Sequence, residues 1–107
     1  MLMFRPAVHL LSHFIVPGGV AKWAYADRWR NAWIIMVATM VVDLDHLLAH
    51  PVYDSNRCGI GFHPLHTFPA IVFYLLLLMI PKIRLVGLGL VIHMVLDGID
   101  CMWILLE

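Results

Sequence analysis

Long apolar runs, separated by short polar groups, dominate this chain. A helix needs about 20 mostly apolar residues to cross a bilayer, with a range of roughly 17–25. Four stretches meet or approach this length: residues 2–25, 29–50, 67–81 and 83–106. Residues 51–66 form a polar, turn-rich connection. Because helices satisfy their own backbone hydrogen bonds in lipid, the pattern predicts an all-α, four-helix transmembrane bundle as one domain covering residues 1–107.

Composition favours a membrane protein. The chain is 63% hydrophobic and 13% charged, with a mean hydropathy of +0.89, whereas soluble domains are roughly 45–50% apolar. A domain of 107 residues could not hide so much apolar surface from water. The formal net charge is zero, which gives no electrostatic basis for nucleic-acid binding. We therefore expect membrane lipids as the surroundings, and a homodimer is compatible with the pattern.

Basic residues set the predicted orientation. Five lie between the first and second stretches or between the third and fourth: Lys22, Arg28, Arg30, Lys82 and Arg84. On the opposite side lie Arg5 and Arg57. Since cytoplasmic loops carry an excess of Lys and Arg, the larger group is expected in the cytoplasm. Both termini and the central loop would then face outward.

The histidines and most of the acidic residues share the outward end of the predicted bundle. Residues three, four or seven apart share a helix face, and this spacing predicts three polar stripes that point inward. The stripes are His9 with His13, then Asp43 with His46 and His50, then His93 with Asp97 and Asp100. Asp45 is the exception, because on an ideal helix it points away from Asp43. Either the helix departs from ideal geometry there, or Asp45 contacts a different partner. His63 and His66 enter this end from the loop.

Four aspartates inside apolar helices need compensation. Each charge costs about 2.5–3.5 kcal/mol on insertion scales, and Arg5 and Arg57 are too few to neutralise the four. Protonation or partly charged histidines could compensate, as in a hydrogen-bonded polar core or a proton path. A divalent metal is the simplest solution, because carboxylates and neutral imidazoles are its usual ligands. We expect one to three divalent ions, and zinc is the expected metal.

Three short motifs carry a resemblance to a known family. They are "VDLDH" at residues 42–46, "HPLHT" at residues 63–67 and "HMVLD" at residues 93–97, and an early histidine precedes them. This order resembles the membrane-bound metal-dependent hydrolases, small bacterial inner-membrane proteins grouped with zinc-dependent phospholipase C. Over nearly its full length the chain looks closer still to a small uncharacterised family of bacterial membrane proteins, which brings no known function.

The resemblance implies a bacterial inner (plasma) membrane protein with a metal site at the outer leaflet. The expected ligands are His13, Asp43, Asp45, His93 and Asp97, with His9, His46, His63 and His66 as further ligands or as residues that orient them. Asp100 is expected to act as a general base or to orient a ligand imidazole. The implied activity is hydrolysis of a phosphoester or a lipid-linked substrate.

Other functions use the same residues. A proton or metal-ion transporter would relay its cargo through the carboxylates and histidines, although the inner halves of the helices are apolar. A haem protein with two histidine ligands would not need so many aspartates. A non-catalytic module stapled by metal would have the same sequence pattern as an enzyme.

The two cysteines, Cys58 and Cys101, lie on the same predicted side. If that side is periplasmic, we expect a disulfide that pins the loop to the fourth helix. If it is cytoplasmic, we expect thiols or additional metal ligands.

Overall fold

The computed structural model describes residues 4–54 and 56–106, and this part of the chain is all-α, as predicted. Its four α-helices are α1 (Phe4–Ala24), α2 (Trp29–Ala38), α3 (Phe68–Leu77) and α4 (Arg84–Leu106). Short 3-10 turns precede three of them, at Ala26–Arg28, Pro64–His66 and Pro81–Ile83. Residues 2 and 3 of the first predicted stretch lie outside the described residues.

The second predicted stretch contains two kinds of helix. After Ala38, helix α2 continues as a 3-10 helix over Thr39–Leu48. A 3-10 helix has three residues per turn, so side chains three apart stand above one another. Asp43 and His46 are such a pair, and their Oδ1 and Nδ1 atoms lie 3.8 Å apart. Runs this long are uncommon, and this one ends before His50.

Helix α4 is the centre of the bundle and packs against α1, α2 and α3. Two glycines allow this close packing. A Cβ on Gly87 would lie 2.8 Å from the Leu77 Cβ, and one on Gly89 would lie 2.8 Å from the Met36 Cα. Both distances are too short for real carbon atoms, so a larger residue would separate the helices.

Two small apolar clusters form the core. One contains Val42, Tyr74, Leu77, Leu90 and Met94, and the other contains Ala21, Ala32 and Met36. Large apolar side chains also cover much of the exterior of all four helices. Two helical segments, Ala26–Leu48 and Pro81–Leu106, are long and apolar enough to cross a membrane, and α3 is apolar but has only ten residues.

The turn between α1 and α2 forms the end that we call the basic end. Its cations lie over aromatic rings: the Lys22 ammonium is 4.6 Å from the centre of the Trp29 ring, and the Arg28 guanidinium is 5.2 Å from that of Tyr25. The Arg30 guanidinium lies 5.6 Å from the centre of the same Trp29 ring. All three cations are exposed, so they keep their hydration while their stems cover apolar surface.

Candidate metal centre

Histidines and aspartates from α1, α4, the 3-10 helix and the loop meet at the opposite end, which we call the polar end. They form three groups of ligand-type atoms. The first group joins Asp43, His66, His93 and Asp97. The second joins His9 and His13 with Asp97, and the third joins Asp45, His46 and His63.

In the first group, four side-chain atoms converge on one point. The Nε2 atom of His66 lies 3.2 Å from Asp43 Oδ1 and 3.1 Å from Asp97 Oδ2. The Nε2 atom of His93 lies 3.0 Å and 3.2 Å from the same two oxygens. The two imidazole nitrogens are themselves 3.2 Å apart. The 3-10 helix, the loop and α4 therefore each contribute at least one atom to the group.

These separations fit the ligand shell of a zinc-type ion. Ligands about 2.0–2.1 Å from a tetrahedral ion lie roughly 3.3–3.4 Å from one another, close to the observed 3.0–3.2 Å. Protons can also satisfy parts of the group, because an N–H of either imidazole can donate to a carboxylate oxygen or to the other nitrogen at 3.2 Å. A divalent ion at the centre would hold all four atoms at once.

Asp45 fixes the orientation of His66. The Nδ1 atom of His66 lies 2.9 Å from Asp45 Oδ2, and the backbone N–H of Leu65 donates to the same oxygen at 2.9 Å. The Asp45 carboxylate thus accepts a hydrogen bond from the Nδ1–H of His66, and the Nε2 atom of His66 faces the first group. A carboxylate behind an imidazole is the usual arrangement around metal-binding histidines. The sequence predicted Asp45 as a metal ligand, although it points away from Asp43 on an ideal helix. Asp45 points away from Asp43 because its side chain contacts the loop.

Without a metal, this environment also favours a proton on His66. Burial by itself lowers the pKa of His66, but hydrogen bonds to Asp43, Asp97 and Asp45 outweigh it and raise the pKa to about 10. The same position therefore attracts positive charge in either form, as a proton or as an ion. A metal ion would have to displace that proton.

The second group shares a carboxylate with the first. The Nε2 atoms of His9 and His13 each lie 3.1 Å from Asp97 Oδ1, whereas Asp97 Oδ2 belongs to the first group. The Nδ1–H of His13 donates to the His9 carbonyl at 2.8 Å, so in the neutral ring Nε2 carries a lone pair. A lone pair facing a carboxylate oxygen needs a cation between them. Asp97 is therefore placed to bridge two cations.

The third group is organised differently. The Nδ1–H of His46 donates to the Asp43 carbonyl at 2.9 Å, and this nitrogen is 3.2 Å from Asp45 Oδ1. The His46 and His63 rings stack with their centres 3.8 Å apart. Burial and then the neighbouring His46 lower the pKa of His63, so His63 is neutral near pH 7. The ligand-type atoms of this group are thus partly used by hydrogen bonds within the protein.

Arg5 belongs to the site, although the sequence indicated only a cation near the aspartates. It is 1% exposed, and its NH1 nitrogen donates to both Asp100 oxygens, at 3.1 and 3.2 Å. Its NH2 nitrogen donates to Asn56 at 3.3 Å. The i, i+4 spacing of Arg5, His9 and His13 was the available signal, because it places all three on one face of α1.

The loop over the polar end is held by several kinds of contact. Gly61 adopts a φ of 81°, a conformation suited to glycine, and its N–H donates to the His66 carbonyl at 3.0 Å. The Tyr74 hydroxyl donates to the Leu65 carbonyl at 2.7 Å. A disulfide joins Cys58 to Cys101 and ties the loop to α4. These contacts hold His63 and His66 against the helices.

A small cavity opens beside the three groups. Its volume is about 70 Å³, and its lining includes His9, Asp43, His46, Asp97 and Asp100. A water molecule occupies about 30 Å³ in the liquid, so the cavity has room for roughly two waters. Atoms of all three groups are therefore accessible from one small polar space. His50 is exposed and belongs to none of the groups.

The fold and this site define an all-α protein whose histidines and aspartates are grouped at metal-ligand spacing. The chain belongs to DUF6122, a family of unknown function, whose model matches residues 3–104. No curated protein and no solved structure matches it. The match confirms that the family is uncharacterised, as expected from the closer of the two resemblances. It assigns no activity, so the relation to metal-dependent hydrolases stays a prediction.

Proposed function

We propose that this protein is a membrane-embedded, divalent-metal-dependent hydrolase of phosphoesters, with zinc as the expected ion. The observation that carries the metal-binding part of the proposal is the first group, in which each imidazole nitrogen lies 3.0–3.2 Å from the other nitrogen and from two carboxylate oxygens. Asp97 extends the site to a second ion through its other oxygen. His46 and His63 offer a third, weaker position.

A membrane location is supported by the exterior of the bundle. Leu11 and Ile15 on α1, Leu76 on α3, and Val95 and Ile99 on α4 are each more than half exposed. Soluble monomers rarely expose apolar patches larger than a few hundred Å². We place the polar end at the outer face of a bacterial inner membrane, because the basic end fits the cytoplasmic side and a disulfide forms in oxidising compartments.

Catalysis is supported by the cavity beside the ligand groups. Structural zinc sites are closed by four protein ligands, whereas catalytic sites keep a position open. His9 and His13 with Asp97 supply only three ligands, and the cavity adjoins this group. An ion held by His9, His13 and Asp97 would supply a water acidified to a pKa of about 7 and would neutralise charge on a phosphoester. Hydrolysis consumes one water, breaks the ester P–O bond, and gives an alcohol and a phosphate.

Asp100 fits an orienting role in this proposal better than a general-base role. Arg5 holds both of its oxygens, and Asp100 Oδ1 lies 4.0 Å from His9 Nδ1. Both Asp100 oxygens thus already accept hydrogen bonds from the Arg5 guanidinium and are not free to accept a proton from water. We therefore assign to the Arg5–Asp100 pair the positioning of His9.

Proton relay is a second candidate, favoured by the continuous chain of contacts from His13 through Asp97 and His66 to Asp45. Below this chain, however, Pro17, Met36 and Leu96 border a cleft too small for a water molecule. The described residues therefore show no continuation toward the basic end. This favours local chemistry at one face over transport across the membrane.

Metal analysis of the purified protein tests the proposal. Wild-type protein should retain zinc after dialysis, and Asp43→Ala and His93→Ala should each lose the ion of the first group. His50→Ala is the matched control, because His50 is exposed and outside the three groups. Zinc-dependent release of alcohol from a soluble phosphoester should fall with the metal. Metal-free wild-type protein after zinc supplementation would overturn the proposal and favour the relay.

A further inference from the structure

A second, larger depression lies between α1 and the 3-10 helix. Its volume is about 450 Å³, within the roughly 300–1,000 Å³ typical of ligand pockets. Its outer walls carry apolar side chains: Pro6, Ala7 and Leu10 from α1, and Met40 from the 3-10 helix. We call this depression the lateral groove. It opens sideways from the bundle.

The inner end of the lateral groove reaches the metal centre. His9, Asp43 and His46 line both the groove and the small polar cavity. The polar cavity also has Arg57 in its lining, so a cation stands beside the ligand groups. The polar cavity next to the candidate ions and the larger, mainly apolar groove therefore adjoin each other.

The surroundings of the groove mouth indicate what would fill it. Leu10, which lines the groove, is 55% exposed. In the membrane location proposed above, this mouth faces hydrocarbon rather than water. An apolar chain could enter from the bilayer without crossing water, whereas a soluble phosphoester would leave the groove walls uncovered.

We propose that the substrate is an amphiphile whose phosphoester head occupies the polar cavity and whose single alkyl chain lies in the lateral groove. This inference rests on the proposed function and makes Leu10 and Met40 specificity-determining residues. The head binds at the ions and Arg57, and the chain sets the register of the ester against them. Remote binding of this kind contributes to positioning at the reacting group.

Photo-crosslinking in lipid nanodiscs tests the groove without requiring turnover. The probe is a long-chain alkyl phosphate with a photoreactive group near the chain terminus. We expect labelled peptides from residues 4–14 and 39–53, with little label on α3. A non-photoreactive long-chain alkyl phosphate should abolish the labelling, and inorganic phosphate should not.

A matched pair of variants makes the test specific. Leu10→Trp fills the groove and should reduce labelling about tenfold. Leu11→Trp adds the same side chain at a neighbouring position that is 56% exposed and outside the groove lining, and it should label like the wild type. Label spread evenly over all four helices, or equal labelling of the two variants, would overturn the inference.

Turnover separates this inference from the proposed function. One outcome is hydrolysis of both a long-chain and a short-chain phosphoester, with the ratio of their kcat/KM values unchanged in Leu10→Trp. That outcome would support the hydrolase and contradict the groove as the site of the alkyl chain. Groove labelling without zinc-dependent hydrolysis of either ester would keep the lipid site and sink the hydrolase.

Discussion

The two ends of the molecule accommodate charge in opposite ways. At the basic end, Lys22, Arg28 and Arg30 stay exposed and rest on aromatic rings. At the polar end, Asp45, Asp97 and their histidine partners are buried and face one another. Exposed cations keep their hydration, so they cost little free energy on folding and contribute little to stability. Buried ionisable groups lose it, so each depends on its partners. The comparison shows where a substitution should have large consequences.

Asp97→Asn should have the largest effect, because one carboxylate serves both the first and the second group. We expect loss of both ions, measured as metal per protein after dialysis. Asp27→Asn at the exposed basic end should retain the wild-type metal content. Loss of only one ion from Asp97→Asn would show that the two groups do not share this residue.

Removal of the disulfide should destabilise the protein by about 2–4 kcal/mol, the typical range for such bonds. Cys58→Ser and Cys101→Ser free the loop from α4, and the double variant should match the singles because one bond is lost in each case. Thermal unfolding under non-reducing conditions measures the change. Additive losses in the double variant would mean that the cysteines act separately.

Asp45→Asn should weaken zinc binding at the first group by about 10–100-fold without removing a ligand of that group, as for other residues that orient a metal-binding histidine. The first group should still fill at saturating zinc, and only its affinity should fall. Competition with a zinc chelator measures this. A reduced content at saturation would identify Asp45 as a ligand, as the sequence motif suggested.

Zinc binding should release protons and strengthen as pH rises. The pKa of His66 is about 10 in the metal-free protein, against 6.5 ordinarily. A protonated His66 therefore stabilises the metal-free fold fully below pH 6.5, and this contribution is lost as pH rises toward 10. Calorimetry near pH 8 in two buffers of different ionisation enthalpy should show the release of at least one proton on zinc binding. No proton release would contradict the placement of His66 in the first group.

Lys22→Met should have the smallest effect, because an exposed cation–π contact contributes only about 0.5–1 kcal/mol. The methionine keeps most of the apolar stem over Trp29 and removes the charge. We expect a small shift in thermal unfolding and unchanged zinc content. A change in zinc content would mean that the two ends are coupled.

The helices and the clustering of polar residues at one end followed from the sequence, because apolar length and i, i+4 spacing are local properties. The position of Asp45 relative to Asp43 indicated a departure from an ideal α-helix, but nothing in "TMVVDLDHLL" specified a 3-10 helix that begins at Thr39. The ligand groups were foreseen as one set, but their division depends on the side of the ring that each histidine presents. That side is decided by distant partners, such as Leu65 and Asp45 for His66.

Arg5 shows the other limit of local reasoning. Its pairing with Asp100 spans 95 positions, and its contact with Asn56 spans 51. Counting cations near the aspartates correctly found too few for four carboxylates. It did not show that Arg5 would pair with Asp100, whereas Asp43, Asp45 and Asp97 contact histidines.

The position of α4 in the chain has a consequence for biogenesis. Asp43 is synthesised 50 residues before His93, and His13 precedes Asp97 by 84. While the ribosome is still making the loop, the early half of the centre has carboxylates and imidazoles but no enclosing partner. The first and second groups are complete only after α4 has been made, so metal binding at those groups would mark a completely assembled chain.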